Sequence, residues 1–269
     1  MKKLIALLLA VVMVCSFAAC ANNPGTESTA PSTEATTPST EATTDATGDE
    51  VTVMTHEEFI AAELNTVVTV ETYVQAKQSW WDNKATIYTQ AEDGAYFLYS
   101  LPCTEELYAQ LTVGTKIRVT GIKGEYKGEV EIMDDPMQPA TIEVIEGNWT
   151  ATATDVTALL ASEDLIKHQN EFVSFKGMTV EPIKNAEGVE SAFLYNWDGS
   201  GEDGNDLYFN VSVDGKTYNF TVESYLTGKG TDVYEAVKAL KVGDKIDMEG
   251  FLYWYDGVNP HITSVKPAA

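Results

Sequence analysis

Leu111-Thr112-Val113-Gly114-Thr115-Lys116-Ile117-Arg118-Val119-Thr120-Gly121-Ile122 recurs later in the chain as Leu240-Lys241-Val242-Gly243-Asp244-Lys245-Ile246-Asp247-Met248-Glu249-Gly250-Phe251. The two segments share a leucine, a Val-Gly pair, a Lys-Ile pair and a second glycine at the same spacing. After each lysine, apolar and polar residues alternate, which is the period of a half-buried strand. The surroundings recur as well. Residues 104–111 and 231–240 read as short helices leading in, and 129–133 and 261–265 read as closing strands. A match with matching flanks is a duplicated domain.

Working outward, residues 67–75 form a strand with Val68, Val70 and Val74 on one face, followed by strands at 84–90 and 95–101 joined through Glu92-Asp93-Gly94. The second copy offers 171–180, 207–213 and 216–224, the last two joined by Asp214-Gly215, a strong two-residue hairpin signal. Its fourth strand runs over 245–253. Three strands, a helix and two strands is the order of the OB-fold, a five-stranded, partly open barrel. The expected fold class is therefore all-β with short helices, built as two tandem OB-fold-like barrels over 51–147 and 148–269.

The chain resembles Clostridia-type Firmicutes lipoproteins with tandem OB-fold-like domains. The resemblance rests on Tyr73-Val-Gln-Ala-Lys-Gln-Ser-Trp-Trp-Asp-Asn-Lys84, Gly94-Ala-Tyr-Phe-Leu-Tyr99 and Val113-Gly-Thr-Lys-Ile-Arg-Val-Thr-Gly121. It covers the first copy well and the second loosely, where residues 181–206 are an insertion. It implies the fold and an anchor, and no particular activity.

The amino terminus fits that picture. Lys2 and Lys3 precede an apolar run ending Ser16-Phe17-Ala18-Ala19-Cys20, the layout of a secretory signal peptide at 1–19. A cysteine after two alanines resembles a lipobox, so Cys20 is the expected lipidation site, tying the chain to the outer face of the cell membrane after export through Sec. Phe17 stands where such boxes usually carry Leu, and plain cleavage near Ala19 with release of the chain is the alternative. Residues 20–50 contain no aromatic or large aliphatic side chain and repeat Pro31-Ser-Thr-Glu-Ala-Thr-Thr37 as Pro38–Thr44. Nothing there offsets the entropy of ordering, so the segment reads as a disordered spacer.

Charge narrows the partners. The chain carries a formal net charge of −24, and the acidity is spread over both copies. Nucleic-acid affinity comes largely from basic groups at phosphates, so the charge argues against a polyanionic partner. Of three cysteines, only Cys103 falls within the folded region, which excludes an internal disulfide there. Cys103 at a helix start has two readings, an activated thiol or a small half-buried residue, and the second is favoured because no histidine lies near it in sequence.

Catalytic patterns are scarce. His56, His168 and His261 are scattered, and there is no metal-spaced pair, nucleophile elbow or phosphate loop. The chain therefore reads as a binding protein, not an enzyme, with no cofactor. Asp198–Asp206 concentrates acids and glycines but departs from the EF-hand pattern, with Asp203 where glycine is required, and reads as a solvated acidic loop, not a metal site. The loops that flank OB-fold binding faces are aromatic. Trp80, Trp81 and Tyr126 lie in the first copy and Tyr253, Trp254 and Tyr255 in the second, and these six are the candidate ligand contacts. Packing is the competing role for Trp80 and Trp81. The expected ligand is a glycan or peptide, with docking on an envelope protein as the alternative.

Overall fold

The computed structural model describes residues 52–269, so the expected signal peptide, Cys20 and the expected spacer lie outside the described residues. Residues Asp49–Ala269 form one compact unit. The first barrel begins with α1 (His56–Ala61), whose amino end is fixed by a reciprocal capping box between Thr55 and Glu58. Then come β1 (Val67–Lys77), β2 (Lys84–Ala91), β3 (Gly94–Pro102), α2 (Glu105–Gln110), β4 (Thr115–Tyr126), β5 (Glu129–Met133) and β6 (Thr141–Asn148). Sheet order is β1-β2-β3-β5-β4-β6, and an extra pairing of β1 with β4 closes the barrel. β1 serves both neighbours by bending. It pairs with β4 from Val67 to Tyr73 and with β2 from Tyr73 onward, with a bulge between Val74 and Ala76.

The second barrel follows β7 (Thr154–Asp155) and consists of β8 (Phe172–Glu181), β12 (Leu207–Val213), β13 (Lys216–Val222), β14 (Lys245–Phe251) and β15 (His261–Pro267). The insertion adds β9 (Ile183–Lys184), β10 (Glu190–Ser191) and β11 (Leu194–Tyr195), while α3 (Ser224–Thr227) and α4 (Asp232–Lys238) precede β14. Here β8 pairs with both β12 and β14. Each half is thus an OB-fold barrel, with its own core under the helix (Val70, Ile87, Leu98 and Ile117 in one; Val180, Phe209, Phe220 and Met248 in the other).

The repeated glycines have a common physical role. Gly114 and Gly243 hold φ of 88° and 92° in the turn before the fourth strand, a region open to glycine at little cost. Gly121 and Gly250 lie where the fourth strand crosses the fifth. A Cβ at Gly121 would sit 2.9 Å from the Met133 carbonyl oxygen, and one at Gly250 would sit 2.3 Å from that of His261. The spacing that revealed the duplication is therefore the spacing the barrel corner requires.

Two features were not anticipated. β6 adds a sixth strand to the outside of β4, and α1 covers a barrel end with Phe59. More consequential is the docking of the barrels. The outer face of β2 and β3 packs against the second barrel, with Tyr88 and Phe97 joining Phe251 in a buried seam. Tyr88 stacks on Phe251 at 4.6 Å between centroids, and Phe97 meets Tyr253 at 5.3 Å. Polar contacts frame the seam. Ser79 N–H donates to the Tyr225 carbonyl (2.8 Å), Asp256 N–H to the Lys127 carbonyl (2.7 Å), and Phe172 N–H to Gln90 Oε1 (2.8 Å).

Candidate functional site

The face that OB-folds commonly use, formed by strands two and three, is covered in the first barrel. In the second it is open. Along β12, Leu207, Phe209 and Val211 point into the core, so Tyr208 and Asn210 point out; their partners across the ladder are Thr221 and Asn219. This outward face is the floor of a cleft of about 820 Å³. Trp197 comes over it from the insertion, Tyr253, Tyr255 and Asn259 from the segment between β14 and β15, and Tyr99 and Gln78 from the first barrel. Neither barrel alone makes the site.

The floor is preorganised by its own hydrogen bonds. Asn219 Nδ2 donates to Asn210 Oδ1 (3.0 Å), Asn210 Nδ2 to the Pro182 carbonyl (3.1 Å), and Thr221 Oγ1 to Asn259 Oδ1 (3.1 Å). At the back wall, Gln78 Nε2 donates to the Tyr88 hydroxyl (3.3 Å), which lies 2.6 Å from His261 Nδ1. Either atom can donate across this contact, according to the His261 tautomer. Burial pushes the imidazole pKa down to about 3, so it is neutral. His261 is 7% exposed, and Nε2 has no hydrogen-bond partner among the described residues.

Charge in the cleft comes from Glu223 alone among its lining residues; no lysine or arginine lines it. Glu223 caps α3, accepting from Tyr225 N (3.3 Å) and Leu226 N (2.9 Å). Burial, and then Asp206 nearby, push its carboxyl up to about 7 despite those bonds. The cleft adjoins a second depression of about 350 Å³ through the shared residues Gln78, Tyr99 and Tyr225, and this one is lined also by Trp81 and by the charged residues Asp82 and Lys84.

The six sequence-derived candidates separate. Tyr253 and Tyr255 line the cleft, and Tyr126 stands at its rim with its ring 6.0 Å from that of Tyr255. Trp81 is 79% exposed, held out by a tight turn in which Asp82 and Asn83 both have positive φ (50° and 56°). Trp80 does not join them. It is half-buried with Nε1 donating to the Cys103 carbonyl (2.9 Å), a packing role at the barrel end. Trp254 also faces elsewhere, into a separate cavity beside Gly128, Ile166 and Asn170, while its N–H donates to Glu129 Oε2 (2.8 Å). Adjacent residues of an extended segment project to opposite sides, so Tyr253 and Tyr255 entering the cleft sends Trp254 away. Tyr99, Tyr208 and Tyr225 carry no such loop signal in the sequence and join the lining through the fold. Trp197 carried a signal, an aromatic residue within a polar insertion.

Other sequence expectations meet local facts. Cys103 is 3% exposed, and burial raises its thiol pKa, with Lys77 acting weakly the other way. The acidic loop is exposed around Asp203 and carries ion pairs there. Asp203 lies 2.7 Å from Lys229 and 2.9 Å from Lys238, which hold its carboxyl down at about 2, and Tyr234 donates to the Asn205 carbonyl. Among the described residues no group of three or more His, Cys, Asp or Glu is placed to hold a metal, and no helix is long and apolar enough to cross a membrane.

No protein-family model and no curated protein sequence matches the chain. Solved structures with similar backbones include a murine DNA-binding protein bound to double-stranded DNA (9% identity, 75% of this chain and 96% of that one, TM-score 0.35). A replication protein A heterotrimer bound to single-stranded DNA is similar over 76% of this chain and 49% of that one (11% identity, TM-score 0.32). A deletion mutant of the single-stranded DNA-binding protein from Thermus aquaticus is similar over 78% and 96% (15% identity, TM-score 0.22). The OB-fold architecture stands on the strand order and closure described above.

Proposed function

We propose that this chain is a surface-anchored binding protein whose inter-barrel cleft holds an extended glycan. Cys20 ties it to the outer face of the membrane, and residues 20–50 hold the barrels away from the bilayer. The observation that carries the proposal is the lining of the cleft. Rings from both barrels alternate with uncharged amides, and no cation is present. Aromatic faces stack on flat apolar surfaces, worth about 1–3 kcal/mol per ring where stacking on bases has been measured, and amides both donate to and accept from hydroxyls.

The floor favours a glycan over a peptide. β12 has partners on both edges, β13 on one and β11 and β8 on the other, so a peptide cannot join it as an added strand. A nucleic acid is the lesser alternative, since a lining without lysine or arginine offers nothing to phosphates. The lining is suited to binding rather than catalysis, and no cofactor is invoked. A glycan array probed with the wild type and with Trp197→Ala tests the proposal. The expected result is a set of oligosaccharides bound by the first and lost by the second; retention of every hit in the variant would move the ligand off this cleft.

A further inference from the structure

Glu223 caps α3 and also lines the cleft, and its setting is costly. A half-buried carboxyl group is best accompanied by a cation, yet its charged neighbour is Asp206, and the lining it shares with Tyr208, Tyr253, Tyr255 and a neutral His261 offers none. Elsewhere the protein places its lysines against rings. Lys77 lies 3.7 Å from the Tyr108 centroid, and Lys238 5.7 Å from that of Tyr234. In the cleft only Tyr255 has such a neighbour, Lys127 at 5.8 Å, which is paired with Asp256 and is not part of the lining. The rings of Trp197 and Tyr225 are 75% and 65% exposed, and no lysine or arginine stands over either among the described residues. A carboxylate beside open ring faces is the environment that attracts an ammonium group.

Resting on the glycan reading, we propose that the Glu223 corner of the cleft is a subsite for a ligand ammonium group, and that the glycan carries unacetylated amino sugars. The ammonium group pairs with Glu223 and lies against the Tyr225 and Trp197 rings. His261 Nε2 and the amides of Gln78 and Asn259 take the sugar hydroxyls. In the free protein the carboxyl shares its site with a proton near neutral pH, with its pKa raised to about 7 by burial and Asp206; a cationic ligand replaces that proton. The overall charge of −24 adds long-range attraction of the same sign.

Calorimetry with a glucosamine hexamer and its fully N-acetylated counterpart tests this. The wild type is expected to bind the amine form at least about tenfold more tightly, the scale of one desolvated cation contact. Glu223→Gln erases that preference, because glutamine still accepts from the α3 amides but carries no charge. A second measurement needs no variant. Titrating a trimethylammonium-substituted hexamer near neutral pH, in buffers of different ionisation enthalpy, shows proton release, whereas the N-acetylated hexamer shows none. Equal affinities without proton release overturn the ammonium subsite, and Trp197-dependent binding of the N-acetylated hexamer then leaves the glycan reading standing. Binding of neither hexamer sinks both. A lysine-rich peptide bound through Glu223 in place of either hexamer keeps the cation but overturns the amino sugar.

Discussion

On the first barrel, the outer face of β2 and β3 presents Tyr88, Gln90 and Phe97 to its neighbour. On the second, the equivalent face of β12 and β13 presents Tyr208 and Asn219 to an open cleft. The strand order, turn glycines and inward-facing cores of the two halves correspond; a handful of outward residues differ. Two apolar rings in one patch gain most by excluding water, and Phe172, Phe251 and Tyr253 supply the complement. Asparagines that satisfy each other stay hydrated at no penalty. The two halves thus carry equivalent faces, and one builds a wall of the cleft over the other.

The largest expected effect breaks the covered face. Phe251→Ala leaves a cavity between Tyr88 and Phe172 and should cost about 3–5 kcal/mol, read as a fall in the urea midpoint. It should also weaken ligand binding, because the cleft needs the first barrel. Unchanged stability would mean that the seam contributes no packing energy.

Proton linkage sharpens the same comparison. Glu129 is fully buried at the junction, accepting from Trp254 N and Gln169 Nε2, while its Oε1 and Asn170 Oδ1 have no donor among the described residues. Burial raises Glu129 to about 8, and Glu131 and Glu223 to about 7. These groups hold protons more tightly when folded, so stability falls as pH rises from about 4.5 towards 8. His261 refuses a proton when folded, so stability also falls as pH drops from 6.5 towards its folded value of about 3. The optimum is expected between those limits, on the acid side of neutral. Glu129→Gln should flatten the alkaline limb in denaturation measured across pH, and an unchanged slope would remove Glu129 as its source.

Smaller effects fall on the open face. Tyr255→Ala should weaken a bound oligosaccharide by about 1–3 kcal/mol, with little change in melting temperature since its ring is 50% exposed. Trp81→Ala should matter least. Short oligomers are expected to bind within about twofold of wild type, and only chains long enough to pass Tyr99 and Tyr225 should lose affinity, by about 1 kcal/mol. Trp80→Ala is the internal contrast, lowering stability through the lost Cys103 contact and leaving binding unchanged.

How much of this was legible beforehand follows from where each signal lies. Residues 207–213 read as a strand because their alternation has one wet face. β2 reads the same way, with Ala85 and Ile87 against Thr86, Tyr88 and Gln90, yet it is buried on both sides. Nothing local marks Tyr88 as covered, since its cover comes from residue 251. Of the aromatic loop residues, Tyr253 and Tyr255 line the cleft and Trp81 lines the adjoining depression. Trp80 and Trp254 could not be separated from them, because a ring's direction depends on the turn that carries it.

The sequence by itself determined the duplication, the strand order and the glycine corners, because these depend on periodicity and backbone sterics within each copy. Only the tertiary structure decided which of two equivalent faces stays open, and that the cleft is shared. That choice was made by side chains pointing away from their own barrel, whose environment is set by another domain and not by their neighbours in the chain.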